Sequence, residues 1–166
     1  MSGSGTNVVR ILENQLLRGA RCSYNVVLIF SDILDESNQR CKAQLISSRY
    51  GVQYRCNDIM EFYRRHGHDT KKNLSLRPQY DQITVDLIGE YDLDLIALCG
   101  YMSIATRPLL ERYNDRILNV HPADLSAKEG GRRKYTGANA VRDAILAGEK
   151  KLYSTTHIVR ELVDYG

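Results

Sequence analysis

The chain lacks closely paired cysteines, long apolar runs and a marked excess of charge, and each lack removes a class of protein. Its four cysteines, Cys22, Cys41, Cys56 and Cys99, stand singly with no C-x-x-C pair, which excludes a disulfide scaffold and points to a reduced, cytoplasmic chain. The longest apolar runs, Val26–Phe30 and Leu95–Cys99, fall far short of the roughly 18 residues that a membrane span needs. Lys and Arg exceed Asp and Glu by only 3, and the positive residues are scattered except at Arg132–Lys134, so charge gives no nucleic-acid footprint. The dinucleotide fingerprint G-x-G-x-x-G, the phosphate-binding G-x-x-x-x-G-K-[ST] and the G-x-S-x-G nucleophile elbow are all missing, as are internal repeats and low-complexity tracts. His66 and His68 form an H-x-H in a polar loop with no further ligand pattern, so no metal is expected.

What remains is an ordinary globular composition, 43% apolar and 26% charged, in 166 residues, the length of a single domain covering 1–166. Short apolar runs alternate with longer amphipathic stretches, which is the pattern of βαβ units and an α/β fold with a mostly parallel sheet flanked by helices. Val8, Ile11, Leu12 and Leu16 recur at helical spacing, with Asn7 as an N-cap and Gly19 past the end. Strands are expected at Asn25–Phe30, Val52–Arg55, Asp94–Cys99, Arg116–Val120 and Tyr153–Val163, that of Asp94–Cys99 being the most buried. Helices are expected from Ser37 or Asn38 to about Ser48, over Asp58–Arg65, from Pro78 to about Tyr91 with Ile83, Leu87 and Ile88 inward, from Pro108, and over Gly137–Leu146. His121–Thr136 reads as a long basic loop. In sheets of this kind ligands bind at the carboxyl ends of the strands.

Four features fall at such ends. Ser2-Gly3-Ser4-Gly5-Thr6-Asn7 opens a helix, whose unpaired N–H groups and dipole suit a phosphate; a linker or frayed terminus would read the same way. Asn119 and His121 flank one residue before Pro122, so they share a face of a strand end, where an amide and an imidazole can hold an oxyanion and move a proton; they could equally satisfy loop backbone. Asp164 follows His157 by seven residues and could orient an imidazole, or simply sit in a turn. Gly100–Ser103 leaves a buried strand where backbone can line a pocket for a flat ligand.

In this order, these residues resemble phosphoribosylglycinamide formyltransferases. The S-G-x-G-[ST]-N loop of that family corresponds to Ser2–Asn7, its D-x-x-x-x-A-G-[FY]-M segment to Asp94–Met102, its L-N-[IV]-H-P-[AS]-L-L run to Leu118–Leu125, and its T-x-H-x-V-x-x-x-x-D-x-G element to Thr155–Gly166. The resemblance implies a Rossmann-like formyltransferase fold and an enzyme of purine biosynthesis acting on small molecules, as a monomer or homodimer, with no nucleic acid, membrane or metal involved. By its implication the formyl donor is 10-formyltetrahydrofolate and the acceptor is the amine of glycinamide ribonucleotide. Gly5, Thr6 and Asn7 would bind the acceptor's phosphate. Asn119 would stabilise the oxyanion, His121 would donate a proton, and Asp164 would favour the protonated His121 and help relay the proton. Arg77, in the R-x-x-[FY]-D context of Arg77–Asp81, would lie beside the ligands, and Met102, Ser103, Ile104 and Ala105, with Asn119, would line the folate pocket.

The sequence departs from that pattern in four places. The strand preceding the glycine loop and the segment following Gly166 are absent, so both ends read as abbreviated. Ser103 stands where an arginine is common, and a basic insert, Ala127–Arg133, lengthens the stretch after His121. Another formyltransferase or a formyltetrahydrofolate deformylase could use the same Asn–His–Asp set, and an inactive homologue could bind nucleotide or folate alone.

Overall fold

A computed structural model describes residues 1–34 and 41–166, so the expected cap at Ser37 or Asn38 lies outside the described residues. These residues form two compact units, Met1–Leu93 with Cys99–Ser103, and Asp94–Leu98 with Ile104–Gly166.

In the first unit, helix α1 (Thr6–Arg18) has its N-cap at Gly5, two residues before the expected Asn7 cap, and Gly5 takes the left-handed conformation at φ 72°. A Cβ there would stand 2.3 Å from Ile46 Cδ1 and 2.7 Å from Met1 Cε, so only glycine fits. Leu12 is the buried residue of α1, while Leu16, expected on the same stripe, is 69% exposed. Strands β1 (Leu28–Ser31) and β2 (Gln53–Cys56) pair in parallel from Leu28↔Gln53 to Ser31↔Cys56, with helix α2 (Ala43–Tyr50) as their crossover. Their shared core holds Met1, Leu12, Ile29, Cys41, Ala43 and Ile46. Helix α3 (Ile59–Arg65) is capped by Asp58, whose carboxylate accepts from Glu61 N at 2.8 Å.

Helix α4 (Arg77–Ile88) carries Pro78 in its first turn, as expected, and ends three residues before Tyr91. Its inner stripe is Arg77, Tyr80, Asp81, Thr84, Val85 and Ile88. Ile83 falls off that stripe and is 47% exposed, a correction to its expected inward position: polar Asp81 and Thr84 occupy the buried positions instead.

In the second unit, β3 (Ile96–Leu98) pairs in parallel with β4 (Ile117–His121), and β7 (Thr155–Ile158) pairs antiparallel on the other side of β4. The Asp94–Cys99 run is not the most buried strand. Leu95 is 53% exposed and Ala97 is exposed too, since β3 is an edge strand of its sheet and only its alternate residues face a core. Helix α5 (Arg107–Arg112) starts at Thr106 with Pro108 in its first turn.

Within the stretch expected to be loop, β5 (Lys128–Glu129) and β6 (Arg132–Arg133) form a small antiparallel hairpin. Its two-residue turn is Gly130-Gly131, both at positive φ, the backbone that a tight hairpin demands. Helix α6 (Ala140–Leu146) starts three residues after Gly137 and packs Ala140 and Ala144 against Ala123 and Tyr135. Among the described residues no helix is long and apolar enough to cross a membrane.

Candidate active site

Strand β4 ends on the residues that carry the strongest sequence signal. Asn119 and His121 lie two apart on it and therefore share a face. The antiparallel register with β7 sets Asn119 directly opposite His157 and His121 opposite Thr155. Asn119 Nδ2 lies 3.2 Å from His157 Nε2, and His157 Nδ1 lies 3.0 Å from the Ile158 carbonyl. A carbonyl only accepts, so His157 carries its proton on Nδ1 and its Nε2 receives the Asn119 amide. That contact uses one of the two amide hydrogens of Asn119 and fixes the direction of the other.

Asp164 closes the group. One of its oxygens, Oδ1, is 3.4 Å from His121 Nδ1 and 3.6 Å from His157 Nε2, and all three side chains are almost wholly buried. Its second oxygen accepts from Gly137 N at 2.7 Å. Asp164 itself sits in the left-handed region at φ 60°, which costs a non-glycine residue about 1–2 kcal/mol. The turn continues into Gly166, where a Cβ would stand 1.4 Å from the Ile158 carbonyl oxygen. The D-x-G spacing therefore has a local cause: the turn folds back onto the end of β7 so closely that the third position admits no side chain. Arg133, on β6, holds the same turn by donating to the Asp164 and Gly166 carbonyls and stacking its guanidinium 5.2 Å from the Tyr165 ring centre.

The remaining nitrogen of His121 is also engaged. Nε2 lies 2.8 Å from the Tyr135 carbonyl and so carries hydrogen, leaving Nδ1 turned to the carboxylate. His121 thus donates to Tyr135 O through Nε2 and, when protonated, faces Asp164 as an ion pair through Nδ1. Amide, imidazole and carboxylate together supply a donor for a developing oxyanion and a charge-supported proton carrier.

The other expected site residues occupy different surroundings. Gly5 is buried, and Thr6 and Asn7 are exposed at the start of α1, where no side chain caps the helix. Ser4 Oγ and Thr6 Oγ1 lie 3.2 Å apart across that turn. Arg77, expected beside ligands, is 2% exposed, its guanidinium set 5.7 Å from the Tyr63 ring centre and 5.6 Å from that of Tyr80. Burial pushes the neighbouring Tyr80 and Tyr101 hydroxyls well above the usual phenol range, so both stay neutral donors. Met102 is 63% exposed, Ile104 is exposed and Ala105 is buried. Ser103 is half-buried and its hydroxyl donates to Asp32.

His157 has no role of its own in the sequence pattern, and Tyr135, Gly137, Arg133 and Asp32 carry no motif that marks them for the site. His157 was within reach, because it shares the T-x-H-x-V element with Asp164. The others act through backbone or through partners 27 to 71 residues away, which no local pattern encodes.

An α/β chain with an Asn–His pair at a strand end and a carboxylate beside it has the frame of a formyl-transferring protein. The chain belongs to the formyl transferase family, whose pattern it matches over residues 1–166. It is 38% identical over 96 residues to a phosphoribosylglycinamide formyltransferase of Haemophilus influenzae, a stretch covering 58% of this chain and 42% of that protein. It is also 31% identical over 99 residues to a formyltetrahydrofolate deformylase of Bacillus subtilis, covering 60% of this chain and 31% of the relative. Among solved structures, glycinamide ribonucleotide transformylase 1 from Symbiobacterium toebii superposes with a TM-score of 0.77 at 29% identity, over 100% of this chain and 66% of that one. The matched stretches thus span less than half the length of these curated relatives.

Proposed function

We propose that the chain transfers a formyl group from 10-formyltetrahydrofolate, consumed as a substrate, to the amine of glycinamide ribonucleotide. The grouping of Asn119, His121 and Asp164 carries this reading, because it supplies both things that acyl transfer between two nitrogens requires. The amine attacks the formyl carbon, a C–N bond forms, and the carbonyl electron pair moves onto oxygen. The free amide hydrogen of Asn119 receives that oxyanion. Collapse breaks the bond to the folate nitrogen, which takes a proton from His121, while the proton shed by the attacking amine replenishes the imidazole–carboxylate pair. Asp164 holds the imidazolium and its orientation.

With Nδ1 turned to Asp164, proton delivery falls to Nε2, so a bound ligand must take the place of the Tyr135 carbonyl. Thr6 and Asn7, exposed at the start of a 13-residue helix, fit a phosphate, and Gly5 lets the chain turn there. Exposed Met102 and Ile104 offer apolar contact to a pterin-like ring, with Ser103 and Ala105 contributing backbone. Arg77, sealed between two tyrosines, supports the folate side as a fixed positive charge behind the surface.

The deformylase relative favours a second reading, attack by water on the same formyl carbon with release of formate. Incubating the protein with 10-formyltetrahydrofolate, with and without glycinamide ribonucleotide, separates the two. Formylated ribonucleotide formed in step with tetrahydrofolate is the expected result; formate released at the same rate without the ribonucleotide would replace transfer by hydrolysis. Tight folate binding with neither product would leave a binding protein.

A further inference from the structure

Asp32 follows β1 and is fully buried, and its two carboxylate oxygens take donors from two different loops. Ser2 Oγ donates to Oδ1 at 2.5 Å, and Ser103 Oγ donates to Oδ2 at 2.5 Å, across 30 and 71 residues of chain. The same knot has four further hydrogen bonds. Met102 N donates to Ser2 Oγ at 2.9 Å, Ser2 N donates to the Gly100 carbonyl at 3.0 Å, and Lys71 Nζ reaches the Met102 carbonyl at 2.9 Å and Ser103 Oγ at 3.2 Å. The carboxylate has a fixed seat, since the backbone carbonyl of Asp32 accepts from Ile59 N at 3.0 Å. Hydrogen bonds to an ionised carboxylate are short and strong, and a buried one that loses a donor pays its desolvation uncompensated. Both hydroxyls are therefore held in one rotamer, and neither loop can shift without disturbing the group that holds the other.

We propose that Asp32 is a positioning residue that locks the Ser2–Asn7 loop to the Met102–Ser103 segment, so that occupancy of either is felt at the other. This rests on the reading of those two segments as phosphate-binding and folate-binding. Coupling of this kind is reciprocal: whatever one ligand does to the affinity of the second, the second does to the first.

The test uses the full chain, the variants Ser103→Ala, Asp32→Asn and Asp32→Ala, and two readouts. One is amide hydrogen exchange in the ligand-free protein at residues 2–7 and 100–103. The other is the Kd for glycinamide ribonucleotide with and without saturating tetrahydrofolate. Removing one hydrogen bond to a charged group corresponds to about tenfold in an opening equilibrium. Ser103→Ala is therefore expected to speed exchange about tenfold at 100–103 and measurably at 2–7, and to abolish the effect of tetrahydrofolate on ribonucleotide affinity. Asp32→Asn, whose amide can still bond both hydroxyls, should retain most of the protection that Asp32→Ala loses. Faster exchange confined to 100–103 in Ser103→Ala would overturn the proposal, and that variant decides the matter even if Asp32→Ala does not fold. Linked exchange in a protein that binds neither ligand would keep the lock and remove the functional reading. Binding of both ligands with no mutual effect would keep the functional reading and remove the lock.

Discussion

The Asn119–His121 stretch and the Ser2–Asn7 stretch both carry a sequence pattern, and the molecule holds them by opposite means. Asn119 and His121 take their direction from a strand with partners on both sides, β3 and β7, so alternation and register alone put them on one face. The Ser2–Asn7 loop has no ladder. It is pinned at Met1 by the Phe30 carbonyl, at Gly3 by Lys42 N, and at Ser2 by Asp32, none of which belongs to its motif. A pattern on a strand carries most of its own geometry, whereas a pattern on a loop borrows its geometry from residues the pattern does not contain.

Substitutions can break that contrast at either end. The largest effect is expected from His121→Ala, which should lower turnover by about 10²–10⁴-fold, the range of a lost proton carrier. Because the ring is buried between Asp164 and the Tyr135 carbonyl, stability should also fall, by about 1–3 kcal/mol. Kinetics normalised to the folded fraction check this, and normal turnover per folded molecule would make His121 structural. Gly5→Ala comes next. The collision with Ile46 and Met1 and the left-handed backbone should together cost about 2–4 kcal/mol in chemical denaturation, along with weaker binding of the phosphate-bearing substrate.

His157→Gln is expected to lower kcat about tenfold with little change in KM, since it disturbs the orientation of Asn119 and the ring beside Asp164. An unchanged kcat would show that Asn119 needs no such support. The smallest effect belongs to Ser4→Ala, an exposed position bonded only to Thr6, which should change stability by less than about 0.5 kcal/mol. A larger loss would mean that the loop carries more of its own geometry than the comparison allows.

Much of the fold was legible because its elements are local. The parallel β1–α2–β2 unit, the proline-started helices α4 and α5, and β4, expected over Arg116–Val120, follow from period and breaker signals. Where the reading failed, tertiary context had outweighed hydropathy. Ile83 lost its inward place to Asp81 and Thr84, because α4 packs a polar interior around Arg77 and Tyr80. The Asp94–Cys99 run looked deeply buried because every residue after Asp94 is apolar, yet an edge strand exposes alternate ones. The proposed catalytic residues Asn119, His121 and Asp164 stand out as members of motifs, but their assembly does not. The antiparallel entry of β7, which makes Asn119 and His157 cross-strand neighbours, leaves no trace in the spacing of either segment.

That entry of β7 also orders events in time. The contacts completing the site close over 38 residues between Asn119 and His157, and over a longer span between His121 and Asp164. By contrast, α2 alone spans 8 residues and the β5–β6 hairpin turns through two glycines. Loop-closure entropy makes such distant pairings late steps in folding. A chain emerging from the ribosome can therefore hold its helices and its first sheet while still having no imidazole beside a carboxylate. On the proposed reading, catalytic competence then marks the last stage of folding, and a partly folded population is silent rather than slow.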